Sequence, residues 1–283
     1  MVTSHLLKLG LIGDNIAASQ APRLHRLAGR QCQTQVQYDR LVPRELGMDF
    51  DEVFAWAARE GYSGLNITYP YKERAASKVT ISDPKISVMG AVNTVLFRDE
   101  GAEGHNTDFT GFMAAYRAAR PGIAPGTCCL IGTGGVGRAM AFALAALGAK
   151  ELRLVDKDTA KAHQLAQDIS GIGAEAVITV AADPVKAVEG SSGILNATPV
   201  GMVGYEGRIV PPESFHGAEW AFDAVYTPVD THLLQDASAA GVEIISGYEL
   251  FFNQGVHAWR HFSGLPLDED RLRAELAEEE KVY

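Results

Sequence analysis

Residues 127–158, "TCCLIGTGGVGRAMAFALAALGAKELRLVDKD", restrict the fold more than any other stretch of the chain. An apolar run enters a glycine turn, an alanine-rich helical segment follows, and a second apolar run ends in an acid. That order predicts a strand, turn, helix and strand of a doubly wound parallel sheet. Within the turn, Gly132, Gly134 and Gly137 match G-x-G-x-x-G, with Gly135 beside them. Gly132 permits the tight turn, Gly134 lets the backbone approach a pyrophosphate, and Gly137 lets helix and strand pack closely. The helix N-terminus adds unpaired N–H groups and positive dipole character for phosphates. Asp156 ends the next strand, 156 minus 137 or 19 residues beyond the last glycine. A carboxylate there accepts hydrogen bonds from the ribose hydroxyls of NAD and repels the 2′-phosphate of NADP. NAD is therefore the expected cofactor, with NADP possible but weaker, because Lys157 is a cation beside the site. The competing reading is that Asp156 only caps a turn. Arg138 fits either a pyrophosphate partner or a helix-start surface residue.

The first hundred residues alternate apolar runs with helical patterns: "LLKLGLIG" as strand, "APRLHRLAGRQCQ" as helix, "VQYDRLVP" as strand, "DFDEVFAWAAREG" as helix and "YSGLNITYP" as strand. Residues 84–107 read as two short strands around the turn "DEGAEG", and the helix "DFTGFMAAYRAA" carries the chain into a second domain. Later strands are expected in "AEAVITV", "GILNAT", "EWAFDAVY" and "VEIIS", and two helices after residue 246 are assigned back to the first domain. The expected fold is α/β in two domains. An N-terminal α/β substrate-binding domain spans 1–107 and is completed by 246–283; a Rossmann dinucleotide-binding domain spans 108–245.

Composition narrows the function. With 47% hydrophobic and 21% charged residues in 283, the chain has the makings of a sizeable core. A formal charge of -10 and no long basic run argue against nucleic acid. Cys32, Cys128 and Cys129 are odd in number and lack metal-ligand spacing, which suits a reducing cytoplasm and no metal. The start "MVTSHLLKLGLIG" lacks a leader pattern, and no stretch approaches the roughly 20 apolar residues of a membrane span. His25, His105 and His257 are scattered, and His25 reads as a helix-surface or packing residue.

Polar residues stand out in the apolar surroundings of the first domain: Asn66, Thr68, Lys72, Asn93, Asn106, Thr107 and Asp108. They fall at strand ends, where open α/β sheets bind ligands. Lys72 and Asp108 are expected to share an interdomain cleft. Alcohol oxidation needs a base for the hydroxyl proton, and a desolvated lysine paired with a carboxylate can be tuned for that.

These residues carry a resemblance. "NITYPYK", "GAVNT", "GHNTDFTG", "GTGGVGRA", "NATPVGM", "DAVYTPVDTHLL" and "GYELFFNQG" resemble, in order, seven motifs of the shikimate dehydrogenase family. The resemblance implies that Lys72 and Asp108 are the catalytic pair and that a small carboxylic acid is the substrate. It further implies that Ser19, Thr68, Asn93, Tyr226 and Gln254 bind that substrate, and it puts Thr198 and Gly247 with the cofactor-binding residues. The implied reaction is reversible oxidation of shikimate to 3-dehydroshikimate by a monomer or homodimer, as in aromatic amino acid biosynthesis. The chain departs from the family at two places. It has "DKD" where NADP-using members carry N-R-[ST], which points to NAD and opens quinate as a substrate. It also reads S-Q-A-P where the family reads S-x-[ST]-P, so Ala21 lacks a hydroxyl that Gln20, Arg23 or a water would have to replace. A member that binds without useful turnover is the alternative from another functional class; a folate dehydrogenase or tRNA-dependent reductase would need different substrate-domain motifs.

Overall fold

A computed structural model describes residues 6–278. Residues 6–107 with 254–278 form one compact unit, and residues 108–253 form another.

In chain order the first unit holds β1 (Leu6–Ile12), α1 (Ala21–Gln31), β2 (Gln35–Leu41), α2 (Pro43–Leu46), α3 (Phe50–Arg59) and β3 (Gly64–Ile67). It continues with α4 (Lys72–Ala76), α5 (Pro84–Met89), β4 (Thr94–Arg98) and β5 (Gly101–His105). The sheet order is β2-β1-β3-β4-β5, with β1, β2 and β3 parallel and β4 and β5 antiparallel. Both faces are covered. Ile12, Leu65, Ile67 and Val95 pack with Phe50, Val53 and Ala57 of α3, whereas Leu9, Leu11, Tyr38 and Leu96 pack with Ala258 and Phe262. Alternate residues of one strand thus serve two cores, so the strands read as nearly continuous apolar runs. Asp49 and Glu52 form a reciprocal capping box that starts α3. Residues 84–89, expected as part of a strand region, are instead helical: Pro84 fixes the first turn, Asp83 caps it, and Gly90 ends it at φ 63°.

The second unit takes in α6 (Thr107–Ala119) after its first residue, then β6 (Thr127–Ile131), α7 (Gly135–Ala146), β7 (Glu151–Val155), α8 (Thr159–Gly171) and β8 (Val177–Ala181). Next come α9 (Pro184–Val188), β9 (Gly193–Asn196), β10 (Trp220–Asp223), α10 (His232–Ala239) and β11 (Glu243–Ile245). All six strands are parallel, in the order β11-β10-β9-β6-β7-β8. Counted within the unit this is the Rossmann order 3-2-1-4-5-6, which reverses between β6 and β9; the crevice outside their carboxyl ends is where such sheets bind dinucleotides. Helix α11 (Gly247–Ser263) begins in this unit and passes at Gln254 into the first, where α12 (Glu269–Glu278) completes it. Two glycines admit α11 there: a Cβ on Gly64 would lie 2.5 Å from the Phe262 ring, and one on Gly255 would lie 2.6 Å from Leu24. No helix among the described residues is long and apolar enough to cross a membrane.

Candidate active site

At the end of β6 the chain turns through Gly132 at φ 98°, in the left-handed region. A Cβ on Gly137 would stand 2.0 Å from the Gly132 carbonyl oxygen, so helix and turn close only around glycine. A Cβ on Gly134 would meet nothing within 4 Å, which leaves its backbone open to a ligand. Helix α7 starts at Gly135, and no side chain caps it. These features fit a pyrophosphate on the N–H groups of the first turn. Asp156, just beyond β7, is fixed from both sides. The Thr133 N–H and hydroxyl each donate to Oδ2 at 2.7 Å, and the Asp158 N–H donates to Oδ1 at 2.9 Å. Burial would raise its pKa, but these bonds outweigh it and hold the carboxyl below its usual range.

Across the switch point, Asn196 and Asp223 end β9 and β10 as register partners. Asn196 accepts from the Thr198 N–H and hydroxyl and donates to Val200 O and Asp223 Oδ1, each at 2.7–2.9 Å. Asp223 also accepts from the Val225 N–H and the Thr231 hydroxyl. This network holds the loop that carries Thr198 and the loop that carries Tyr226, whose ring stacks on Phe251 at 5.0 Å. A Cβ on Gly247 would strike the backbone of residues 223–225, nearest at 2.5 Å from Val225 O, so the close packing there admits only glycine. Arg138 bridges to Asp168 on α8 at 2.6 Å, a task within the unit itself.

In the first unit, polar groups gather at the ends of β1, β3 and β4. Lys72 opens α4, is 7% exposed, and its carbonyl accepts from the Val92 N–H at 2.9 Å, which sets it beside Asn93. The Asn93 Oδ1 accepts from the Thr107 N–H at 2.7 Å and from the Thr107 and Thr94 hydroxyls at 3.1 Å. Its Oδ1 is thereby fixed, and its Nδ2 has no protein acceptor among the described residues. Asp108, the first residue of the second unit, lies in the first turn of α6 and is 6% exposed. Asn66 and Asn106 serve the scaffold: Asn66 accepts from the Tyr38 hydroxyl at 2.8 Å, and Asn106 donates to Ala91 O at 2.9 Å. Thr68 borders the β1 turn, where a Cβ on Gly13 would meet its methyl at 2.3 Å. The Tyr71 hydroxyl donates to Asp14 at 2.6 Å, tying that turn to the Lys72 segment. Ser19 lies in the same β1–α1 connection, and Gln254 is half-buried on α11.

Residues 11–95 match the model of the shikimate dehydrogenase substrate binding domain. Over 272 residues the chain is 37% identical to quinate/shikimate dehydrogenase (NAD(+)) of Corynebacterium efficiens, covering 94% of this chain and 96% of that one. It is 36% identical over 275 residues to shikimate dehydrogenase (NADP(+)) of Pseudarthrobacter chlorophenolicus, covering 95% and 94%. The solved structure of quinate dehydrogenase from Corynebacterium glutamicum in complex with NAD superposes with a TM-score of 0.89 at 32% identity, covering 97% of this chain and all of that one. The chain belongs to the shikimate dehydrogenase family.

As a member of the shikimate dehydrogenase family it is an NAD(P)-dependent oxidoreductase with a Rossmann-type cofactor domain. Ser19, Thr68, Lys72 and Asn93 all lie inside the matched segment. The functional roles of Thr133, Asp14, Tyr71 and the pair Asn196 and Asp223 come from the structure. A signal existed for the last two, since each is a lone polar residue closing an apolar strand. None existed for Thr133, whose only mark is that it sits inside the glycine turn.

Proposed function

We propose that this chain is an NAD-preferring enzyme that interconverts shikimate and 3-dehydroshikimate, with quinate as the alternative substrate. In this reading the first unit holds a small carboxylic acid and the second holds NAD, in the cytoplasm, as a monomer or homodimer. The free state of Cys32, Cys128 and Cys129 suits a reducing compartment.

The observation that carries the reading is a buried lysine set beside an asparagine whose amide oxygen is fully engaged and whose amide donor has no protein acceptor among the described residues. A lysine kept from solvent is held in place to do chemistry or to pair, and Lys72 sits at a strand end where substrates bind. Lys72 and Asp108 handle the proton of the ring hydroxyl that becomes the ketone. Ser19, Thr68, Asn93, Tyr226 and Gln254 orient the acid, while Gly132, Gly134, Gly135, Gly137, Asp156, Thr198 and Gly247 border the cofactor. NAD, when bound, supplies the hydride acceptor.

Initial rates with shikimate and quinate, each with NAD and NADP, test substrate and cofactor together. Lys72→Ala tests the mechanism: turnover is expected to fall about 10²- to 10⁴-fold, the usual contribution of a positioned acid–base group. Near wild-type turnover in that variant would remove Lys72 from the proton path.

A further inference from the structure

Asp156 is the acid that the cofactor reading depends on, and its carboxylate is already largely engaged within the protein. An ionised carboxylate offers about four acceptor positions. Thr133 fills two of them on Oδ2, from N–H and hydroxyl at 2.7 Å each, and the Asp158 N–H fills one on Oδ1 at 2.9 Å. One position remains, on Oδ1. Thr133 is itself 2% exposed and sits in the turn after β6, so it does not move freely. The register of β6 on β7, Ile131 opposite Val155, brings the two residues together just past the strand ends.

We propose that Thr133 is a positioning residue that sets cofactor choice, by locking the Asp156 carboxylate so that it accepts one ribose hydroxyl and refuses a 2′-phosphate. The inference rests on the reading of Asp156 as the ribose acid. A ribose hydroxyl can donate to the open Oδ1 position; a phosphate dianion has no proton to give and meets a fixed negative charge. Two backbone donors, Thr133 N–H on Oδ2 and Asp158 N–H on Oδ1, would remain whatever the Thr133 side chain, but loss of the hydroxyl opens a second acceptor position on Oδ2 and lets the carboxylate turn. Once it turns, Lys157 and Lys161 are the cations left beside the ribose end, and Lys161 already acts on Asp156 through its charge. The hydroxyl is thus the element that converts an acid near the site into an acid aimed at it.

The test is cofactor binding without turnover. Fluorescence titrations with NADH and with NADPH are made on the wild type and on Thr133→Ala, Thr133→Val and Thr133→Ser, with melting of each protein recorded in the absence of cofactor. Thr133→Val keeps the side-chain shape, so it stands in for the alanine variant if that one fails to fold. The ratio of Kd for NADPH to Kd for NADH is expected to fall at least about fivefold in the alanine and valine variants and to recover in the serine variant. That is less than the 10- to 100-fold worth of a full hydrogen bond to a charged group, because both backbone donors stay. A ratio unchanged within about twofold, or tighter NADH binding in the valine variant, would overturn the inference alone. A wild type that prefers NADPH would overturn the NAD reading as well.

Discussion

Ser19 and Ala21 flank Gln20 at the start of α1, and the Ala21 N–H donates to Ser19 Oγ at 3.3 Å. That bond leaves the Ser19 hydroxyl proton available to a ligand carboxylate. Ala21 is 9% exposed, so its methyl group occupies the space where the family motif carries a second hydroxyl. Arg23 is no replacement within this geometry, because its guanidinium donates to the Glu275 and Leu276 carbonyls at the end of α12. A hydrogen bond to a charged group is worth about 1.5–3 kcal/mol, or about 10- to 100-fold in binding. Ala21→Ser is therefore expected to lower the KM for shikimate by up to that factor while kcat changes little. Steady-state kinetics decide it, and an unchanged KM would mean that the substrate carboxylate is held elsewhere.

Elements are joined by contacts that no local pattern announces. Arg120, 6% exposed just after α6, reaches Glu219 at 2.6 Å, immediately before β10, and Glu243 at 2.9 Å, the first residue of β11. Its cation also sits favourably at a helix C-terminus. The glutamates are half-exposed, which discounts the ion pairs, so Arg120→Ala is expected to cost the second unit about 1–3 kcal/mol in urea denaturation. A loss under about 0.5 kcal/mol would show the clamp to be dispensable. The β6–α7–β7 unit was legible in sequence because hydrophobic period and glycine turn change together there. Helices α2, α4 and α5 were not, since four to six residues are too few to show a 3.6 period. Helices α2 and α5 are marked by Pro43 and Pro84 at their first turns and left-handed Gly47 and Gly90 at their ends, with Asp83 capping α5, whereas α4 carries no such mark. The site divides the same way. Gly132, Asp156 and Lys72 stand out as residue types in context, whereas the bonds of Thr133 to Asp156 and of Asn196 to Asp223 depend on strand register across 23 and 27 residues.

Across the whole molecule, the two units carry buried titratable groups of opposite sign. The first holds His25, stacked on Tyr38 at 5.1 Å and edge-on to Phe262, with no partner for Nδ1 among the described residues. Burial pushes its pKa down to about 3, against a hydrogen bond with Asn66 that raises it. His261, stacked on His105 at 3.8 Å, is pushed down to about 4 by burial and then by that neighbour. An unfolded chain protonates these histidines near pH 6.5 while the folded one does not, so acidification below that pH destabilises the first unit. In the second unit burial raises Asp223 to about 6 despite its three hydrogen bonds. Its ionisation costs stability as pH rises through about 6, and acidification relieves that cost. Asp156, held below its usual range, loses its contribution only at more acidic pH. Between pH 7 and pH 5 His25 alone is expected to cost the first unit about 2 kcal/mol, while protonation of Asp223 returns about 1 kcal/mol to the second. Hydrogen exchange at the two pH values, corrected for intrinsic rates, should show protection falling in β1–β5 but not in β6–β11. His25→Phe should reduce the fall in β1–β5, and loss of protection first in β6–β11 would contradict the assignment.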